Sequence, residues 1–222
     1  MADRVARPRV RKEKGLRKQE LVTAAITVLA EHGYEGFSLA NVARTAGVSP
    51  ALIIVHFGSK EGLLEDVLAE MGQEYFGCLH ASQAGAGPRA VDRLWRLVTS
   101  EFDESYFTPR YLSAWRTFWV EINGRKPYLR LFGDETRYFT ELTTTLCAEI
   151  MGEGGLPGHD PATVARIIDT ALGGMWIDLT QGPVPLSVDE ARHMTKSLLV
   201  LLFPRQFTLE GPLAAPLEKD PG

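Results

Sequence analysis

The polar side chains of this sequence that could act together chemically lie between residues 44 and 60, and they favour contact with a polyanion. They are two cations, an imidazole and two hydroxyls: Arg44, Lys60, His56, Thr45 and Ser49. A lysine at the start of a helix is unfavourable for the helix itself. Beside a phosphate it becomes useful, because the free N–H groups of the helix start and the ammonium can hold one anion together. The pattern predicts a phosphate contact at Lys60, with a solvated surface lysine as the alternative.

Two short helices joined by a turn must position these side chains. Ser38 can cap the first helix through its hydroxyl, and Gly47 can adopt the left-handed conformation that ends it. Ser49 is expected to cap the second helix, where Pro50 takes the first position, at which a missing N–H costs nothing. The arrangement predicts a helix-turn-helix whose second helix, from Pro50 to about Phe57, enters the major groove of DNA.

The predicted second helix is mostly apolar, since it contains Ala51, Leu52, Ile54 and Val55. These side chains cannot hydrogen-bond to base edges, although one or two can touch thymine methyl groups. We therefore expect phosphate contacts and DNA shape to supply much of the affinity. The residues predicted to contact DNA are Ser38, Arg44, Thr45, Ser49, Pro50, Ala51, Val55, His56 and Lys60.

Charge is distributed unevenly along the chain, whose net charge is −4. Residues 1–60 carry ten Lys or Arg and five Asp or Glu, a balance of +5, whereas the remainder carries fourteen and twenty-three, a balance of −9. A basic N-terminal part on an acidic body is the layout expected of a DNA-binding protein. Residues 1–14 are predicted to be a basic disordered arm that follows the phosphates or enters a minor groove.

Composition and motifs argue against several other classes of protein. No apolar run reaches the roughly 18 residues that suggest a membrane span, and the basic N-terminus lacks the apolar core of a secretory signal. Cys78 and Cys147 lie far apart without metal-ligand spacing, so we expect reduced thiols in a cytoplasmic protein. The sequence contains no nucleophile elbow and no phosphate-cradling glycine loop, and its five histidines are scattered. We expect neither an enzyme nor a cofactor or metal site.

Apolar residues recur at helical spacing along the whole chain, and no alternating strand pattern is present. The predicted fold is all-α with about nine helices. The boundaries that matter below are Gly15–His32 for the first helix, Ser59–Leu79 for the fourth, a loop at 80–88, a capping box from Ser187 to Glu190 at the start of the ninth helix, and a disordered tail at 208–222.

The segment from Lys14 to Leu64 resembles the TetR family of transcriptional repressors. The resemblance is carried by Glu-His-Gly-Tyr at 31–34, by Ser-Leu-Ala-Asn-Val-Ala-Arg-Thr-Ala-Gly-Val-Ser at 38–49, and by His-Phe-Gly-Ser-Lys-Glu-Gly-Leu-Leu at 56–64. The family often has glycine, threonine and tyrosine where this chain has Ala51, Leu52 and Ile54. The resemblance implies a DNA-binding domain at 15–60 and an effector-binding and dimerisation domain at 61–207.

Aromatic residues are frequent on the predicted buried stripes of the second domain, notably Trp95, Trp115, Phe118, Trp119 and Trp176. Core packing is the plain interpretation of any one of them. As a group they also suggest a cation site, because each aromatic face attracts a cation by about 0.5–2 kcal/mol. Acidic residues lie nearby in sequence, at Asp103, Glu104, Glu121 and Asp178, and one buried carboxylate would complement a cationic ligand.

A second resemblance concerns the ligand. Glu-Phe-Asp-Glu at 101–104, Ala-Trp-Arg-Thr-Phe-Trp at 114–119 and Gly-Gly-Met-Trp-Ile-Asp at 173–178 are similar to BetI-type regulators, a TetR subgroup associated with choline and glycine betaine synthesis. It implies a quaternary ammonium effector such as choline. The predicted pocket residues are Asp103, Trp115, Trp119, Trp176 and Asp178.

The last two long helices are apolar over a wide arc and can pack on a second copy as a four-helix interface. TetR-like proteins form dimers through these helices, so we expect a homodimer on a palindromic operator, released or recruited by its ligand. The alternatives are a regulator of an apolar or amphipathic effector of the drug-efflux or lipid type, and a DNA-binding protein without an effector.

Overall fold

The computed structural model describes residues 7–104, 106–118, 125–154, 158–181 and 186–215. This part of the chain is all-α, as predicted, with one isolated β-bridge between Phe207 and Pro212. Its nine helices are α1 Arg7–Gly36, α2 Leu39–Ala46, α3 Pro50–Phe57, α4 Lys60–Ala84, α5 Ala90–Ser100, α6 Pro109–Arg116, α7 Arg125–Gly152, α8 Pro161–Gln181 and α9 Val188–Leu202. None of these helices is by itself long and apolar enough to span a membrane, although α2 and α3 would qualify as a pair bent by 107°.

The chain divides into two compact units. The head unit contains the described residues of Met1–Gln73 and Pro109–Leu131, and the body unit contains those of Glu74–Thr108 and Phe132–Gly222. The predicted boundary between 60 and 61 does not match this division, because the first part of α4 and the whole of α6 belong to the head unit. The reason lies in packing: α6 lies on α1, where the Ser113 hydroxyl donates to the Ala30 carbonyl at 2.8 Å and the Ala114 side chain is buried.

The first helix differs from its prediction at both ends. It begins at Arg7 instead of about Gly15, so residues 7–14, expected in a disordered arm, are helical. Helix-forming arginines, lysines and a glutamate follow Pro8, and a proline is tolerated in a first helical turn. Gly33, the predicted stop, has φ 61° and ψ −168°, and the helix resumes beyond this kink as far as Gly36. The predicted apolar stripe forms the core of the head unit, with Leu21, Ala25 and Leu29 fully buried.

Helix α4 continues to Ala84, through part of the loop predicted at 80–88. Within the body unit, the Gln83 side-chain amide donates to the Arg93 carbonyl at 3.0 Å, and the Ser82 hydroxyl donates to the Leu79 carbonyl at 2.8 Å. These hydrogen bonds stabilise the last turn of α4, whose sequence is not strongly helix-forming.

The end of the described chain is held against the body unit. The predicted capping box of α9 is present, since the Ser187 hydroxyl accepts from Glu190 N–H and the Glu190 carboxylate accepts from Ser187 N–H. Beyond α9, the expected disorder from residue 208 is not found over 208–215. Arg89 donates to the carbonyls of Leu213 and Ala214 at 2.8 and 2.9 Å, and Phe207 stacks on Trp95 with ring centroids 6.0 Å apart.

Candidate nucleic-acid interface and effector site

The first helix of the predicted helix-turn-helix is fixed by caps at both ends. The Ser38 hydroxyl accepts from Asn41 N–H at 3.1 Å. Gly47 is left-handed, with φ 65° and ψ 36°, and its N–H bonds to the carbonyls at the end of α2. Only glycine takes this conformation without strain. The Ser38 hydroxyl therefore has a capping role, and its contact with DNA stays a prediction.

Helix α3 presents an apolar outer face. Ile53 is completely buried and anchors the helix, whereas Ile54 and Val55 are 51% and 72% exposed. Ala51 is exposed on the same short helix. Exposed apolar side chains such as these contribute little to the stability of the helix itself. They are therefore available for contact with the methyl groups of thymine.

The residues around α3 differ in how they are held. Ser49 occupies the N-cap position of α3 but makes no capping hydrogen bond, in contrast to the expectation, and Pro50 follows at the helix start. The Ser49 hydroxyl is thus not used by the helix. Arg44 and Thr45 are exposed at the end of α2, and His56 is half-buried with its ring 6.0 Å from the ring of Phe57.

Lys60, the first residue of α4, is positioned by aromatic rings. Its ammonium lies 4.1 Å from the ring centroid of Tyr34 and 5.6 Å from that of Phe37. No carboxylate of the described residues forms an ion pair with it, whereas Lys18 pairs with Asp66 at 2.8 Å. The cation is held over ring faces without a direct ion pair, although the Glu61 carboxylate lies near enough to interact with it, and it lies next to the N–H groups of a helix start. This is a suitable geometry for a phosphate oxygen.

Glycine is required where α3 meets α4. A Cβ on Gly62 would lie 2.2 Å from the carbonyl oxygen of Phe57, far inside the contact distance. The Ser59 hydroxyl accepts from Gly62 N–H at 3.1 Å and closes the same turn. Gly62 therefore sets how closely the recognition helix approaches the start of α4.

In the body unit, four aromatic side chains from three segments form a cluster, here called the aromatic cluster: Tyr75 of α4, Tyr106 and Phe107 after α5, and Trp176 of α8. The Tyr75 ring centroid lies 5.6 Å from that of Trp176 and 5.8 Å from that of Tyr106. Phe107 lies 4.7 Å from Trp176 and 5.3 Å from Tyr106, edge to face in both cases. Rings at these distances and angles present both faces and edges to one small volume.

The carboxyl group of Glu101 contacts the aromatic cluster. The Tyr75 hydroxyl donates to it, and so does the Trp176 indole. Burial raises the pKa of Glu101 to about 7; the hydrogen bonds from Tyr75 and Trp176 oppose this rise, and the nearby Asp169 carboxylate adds to it. No lysine, arginine or histidine of the described segments forms an ion pair with Glu101. Glu101 is half-buried, and a carboxylate that has lost part of its hydration without gaining a counter-ion is unfavourable, so the group is poised to accept a proton or a cation.

A second acidic group lies on α8, two turns before Trp176. The Asp169 side chain is half-buried and accepts from the Thr140 hydroxyl at 3.2 Å. Burial raises the pKa of Asp169, and the Thr140 hydrogen bond and Arg166 oppose the rise. The body unit thus contains two carboxyl groups whose charged forms are both disfavoured by burial.

The predicted pocket residues belong to both units. Trp176 belongs to the aromatic cluster. Trp115 lies in the head unit, where it is 1% exposed and packs against Phe118 and Tyr128. Trp119 lies outside the described residues, and the side chains of Asp103 and Asp178 are exposed. Ligand contacts by these four residues stay predictions.

The sequence prediction missed Glu101, Tyr75, Tyr106 and Phe107. A signal for Glu101 was available, since it continues the buried stripe formed by Leu94, Leu97 and Val98 at helical spacing. A carboxyl group on a buried stripe is rare unless it has a partner or a function. Asp103 instead shapes the following turn, where its carbonyl accepts from the N–H groups of Tyr106 and Phe107.

The described residues contain no group of three His, Cys, Asp or Glu side chains that could hold a metal ion. Fold and geometry define a helix-turn-helix protein whose helical body unit brings acidic and aromatic side chains together.

Comparison with known proteins identifies the family. Residues 21–67 match the family described as bacterial regulatory proteins, tetR family, and residues 90–204 match the family described as BetI-type transcriptional repressor, C-terminal. The second match alone spans more than half of the chain. The protein belongs to the TetR family of DNA-binding transcriptional regulators and has a C-terminal domain of the BetI type, which confirms both resemblances.

Curated relatives agree with this assignment. The chain is 30% identical over 183 residues to the HTH-type transcriptional regulator BetI of Rhizobium meliloti (strain 1021), with 82% of this chain and 86% of the relative covered. It is 27% identical over 195 residues to BetI of Escherichia coli O157:H7, with 86% and 96% covered.

Solved structures show the same fold. A transcriptional regulator from Pseudomonas aeruginosa PAO1 matches with a TM-score of 0.68 at 22% identity, covering 85% of this chain and 90% of that one. A transcriptional regulator from Saccharomonospora viridis, solved in complex with choline, matches with a TM-score of 0.70 at 21% identity, covering 83% and 96%.

Proposed function

We propose that this protein is a transcriptional repressor that binds a palindromic operator as a homodimer and leaves it when a quaternary ammonium compound such as choline binds the body unit. The observation that carries the effector class is the Glu101 carboxyl group, which accepts hydrogen bonds from two members of the aromatic cluster and has no cationic partner in the described part of the protein. Aromatic faces together with a carboxylate are the two features that recognise a quaternary ammonium group. On this proposal the protein binds ligands in the cytoplasm and is not an enzyme.

The comparisons support this effector class. The C-terminal domain is of the BetI type, and the regulator from Saccharomonospora viridis binds choline in a structure of the same fold. An uncharged apolar effector would fit less well, because it would leave the buried carboxyl group without compensation whenever that group is ionised. The aromatic cluster and Glu101 are therefore the proposed ligand site, with Trp176 as the residue also predicted from sequence.

Exposed apolar residues on α8 and α9 support a homodimer. Ile167 and Ile177 of α8 are exposed at helical spacing with Gly174 between them, and α9 exposes Met194 and Leu201, the latter by 79%. A Cβ on Gly174 would meet nothing within 4 Å, so the helix face is open to close approach by another chain. We propose that a second copy covers it as a four-helix interface.

The proposed switch runs along α4. Lys60 begins this helix, and Tyr75 on the same helix donates to Glu101. A cation that rearranges the Tyr75–Glu101–Trp176 contacts would move α4 and with it the recognition helices of the dimer. It can do so only if it binds the released arrangement more tightly than the DNA-bound one.

Fluorescence anisotropy with the promoter DNA that flanks this protein's own gene tests the regulatory part. We expect specific binding that is lost on addition of choline and unaffected by an equal concentration of sodium chloride. Specific binding that choline leaves unchanged would reject the effector class and keep the regulator. Absence of specific binding at low salt would reject the repressor model for this operator.

Sedimentation or light scattering tests the dimer. Leu201→Asp places a charge on the proposed interface and should yield a monomer with reduced operator affinity. Leu209→Asp, at another exposed leucine of the body unit, is the matched control and should leave the dimer intact. A monomeric wild-type protein, or dissociation by both variants, would contradict the proposed interface.

A further inference from the structure

We infer that Glu101 determines the specificity of the effector site by exchanging a proton for the ligand: it holds a proton while the site is empty and releases it when a permanent cation enters. This inference rests on the proposed function. It makes the release of one proton part of the equilibrium by which the cation binds.

The contacts of Glu101 favour such an exchange. Its carboxyl group accepts from the Tyr75 hydroxyl and from the Trp176 indole, so two fixed donors hold it in place. The other two members of the aromatic cluster, Tyr106 and Phe107, carry no positive charge and so supply no counter-ion. Two donors on a buried carboxylate orient the group but do not replace a counter-ion. A proton fills that role in the empty site, and an ammonium group can fill it in the occupied one.

Neighbouring charges strengthen the need for a cation. Four elements bring titratable groups to this part of the body unit. Helix α4 carries Glu74, Tyr75 and Cys78, and the segment after α5 carries Asp103, Glu104 and Tyr106. Helix α8 carries Arg166 and Asp169, and α9 carries Arg192. Arg192 pairs with Glu104 and lies 3.8 Å from Asp189, so its charge is already compensated. The others are mainly acidic, and Asp169 disfavours a second negative charge at Glu101.

The expected protonation state agrees with the geometry, since burial raises the pKa of Glu101 to about 7. Near neutral pH the empty site is a mixture of protonated and ionised forms. An ammonium group beside the carboxylate lowers its pKa, so cation binding and proton release are linked.

This linkage makes the site selective by charge. A permanent cation gains the carboxylate as its counter-ion. A zwitterion that carries its own carboxylate next to the ammonium, such as glycine betaine, would bring a further negative charge towards Glu101 and Asp169. The neutral carbon isostere of choline, in which carbon replaces nitrogen, would fit the same shape without displacing a proton. Affinity should therefore follow the order choline, neutral isostere, glycine betaine at alkaline pH.

Isothermal titration calorimetry in two buffers of different ionisation enthalpy measures the protons released when choline binds. We expect about 0.5 proton per site at about pH 7, a value nearing one at about pH 6, and almost none at about pH 8. The choline dissociation constant should rise by up to about tenfold for each pH unit below about 7 and level off above it. Binding of the neutral isostere should release no proton.

Glu101→Gln and Glu149→Gln form a matched pair, because each replaces one glutamate carboxylate of the body unit by an amide, and Glu149 is exposed on α7. Glu101→Gln should weaken choline binding at about pH 8 by roughly 30-fold or more, abolish proton release and leave the neutral isostere bound. Glu149→Gln should keep the wild-type proton release and change the affinity by less than about threefold. Circular dichroism checks that both variants fold.

The outcomes separate the inference from the function it rests on. Choline binding to the wild-type protein without proton release would overturn the proton exchange and leave the choline effector standing. Retention of proton release in Glu101→Gln, or its loss in Glu149→Gln, would show that Glu101 is not the group that exchanges the proton. If the folded wild-type protein binds no quaternary ammonium compound between about pH 6 and 8, the proposed effector class itself fails.

Discussion

The helix-turn-helix and the aromatic cluster are built in different ways. The first is a contiguous segment in which each turn is fixed by a neighbour in sequence, such as the Ser38 cap, the left-handed Gly47 and the tight passage at Gly62. The second brings together α4, the segment after α5, and α8, and its central carboxyl group depends on donors 26 and 75 positions away along the chain. The proposed DNA-binding surface is thus built from a local segment, whereas the proposed ligand site exists only through tertiary packing.

The largest expected effect comes from Gly62→Ala. The new Cβ would collide with the Phe57 carbonyl oxygen. We therefore expect the free energy of unfolding to fall by about 2–4 kcal/mol, and specific DNA binding to be lost. Gly77→Ala is the control on the same helix, because a Cβ there meets nothing within 4 Å, and it should be neutral or stabilising by up to about 1 kcal/mol. Urea denaturation and anisotropy measure both. Equal effects would show that the passage between α3 and α4 is not tight.

The next effect concerns the body unit and its pH dependence. The pKa of Glu101 is about 7 in the folded protein against 4.5 for an ordinary glutamate, so the folded state binds more protons between these pH values. The free energy of unfolding should therefore fall as pH rises from about 4.5 to 7, by about 3 kcal/mol, and stay level above. Glu101→Gln should lack this component. Denaturation at several pH values measures the difference, and parallel curves for variant and wild type would contradict it.

Replacing aromatic residues tests whether the cluster is a site or only core. Trp176→Leu removes a ring face and the indole donor to Glu101, so choline affinity should fall by about 10–30-fold. Trp95→Leu is the control, since Trp95 is also half-buried in the body unit but stacks on Phe207 beneath Lys196. It should lower stability and spare choline affinity. Titration calorimetry decides between them, and equal losses of affinity would favour plain core.

The smallest expected effect is at Lys60. Lys60→Ala should weaken operator binding about equally on all sequences and reduce the salt slope by about one. Lys18→Ala is the control. The Lys18 ammonium is already paired with Asp66, so its removal should change the salt slope less. The measurement is operator affinity at several salt concentrations. A changed sequence preference with an unchanged slope would assign Lys60 to bases and not to phosphate.

The accuracy of the sequence predictions follows the same division. Helix α3 has the predicted bounds, Pro50 to Phe57, because proline and glycine mark its ends locally. The capping box at Ser187 is confirmed for the same reason. The extension of α4 to Ala84 was missed, because it depends on a hydrogen bond to Arg93 on the next helix.

The proposed ligand site was only partly predicted from sequence. Trp176 was predicted and lies in the aromatic cluster, Trp115 lies in the head unit, and Glu101 was not among the predicted residues. Helical periodicity shows that a residue faces the interior but not which buried residues meet. Tyr75, Glu101 and Trp176 meet only after three segments have packed, and no local pattern in the sequence contains that information.

The attachment of the C-terminal stretch has a practical consequence for anyone converting this regulator into a sensor. Arg89 holds the backbone at Leu213 and Ala214, and Phe207 covers Trp95, so a cut before Phe207 would uncover an aromatic surface and leave a guanidinium without two of its acceptors. Such truncated proteins should aggregate and be cleaved readily by proteases. A fluorescent reporter should therefore be fused after Ala215, where it leaves this attachment undisturbed.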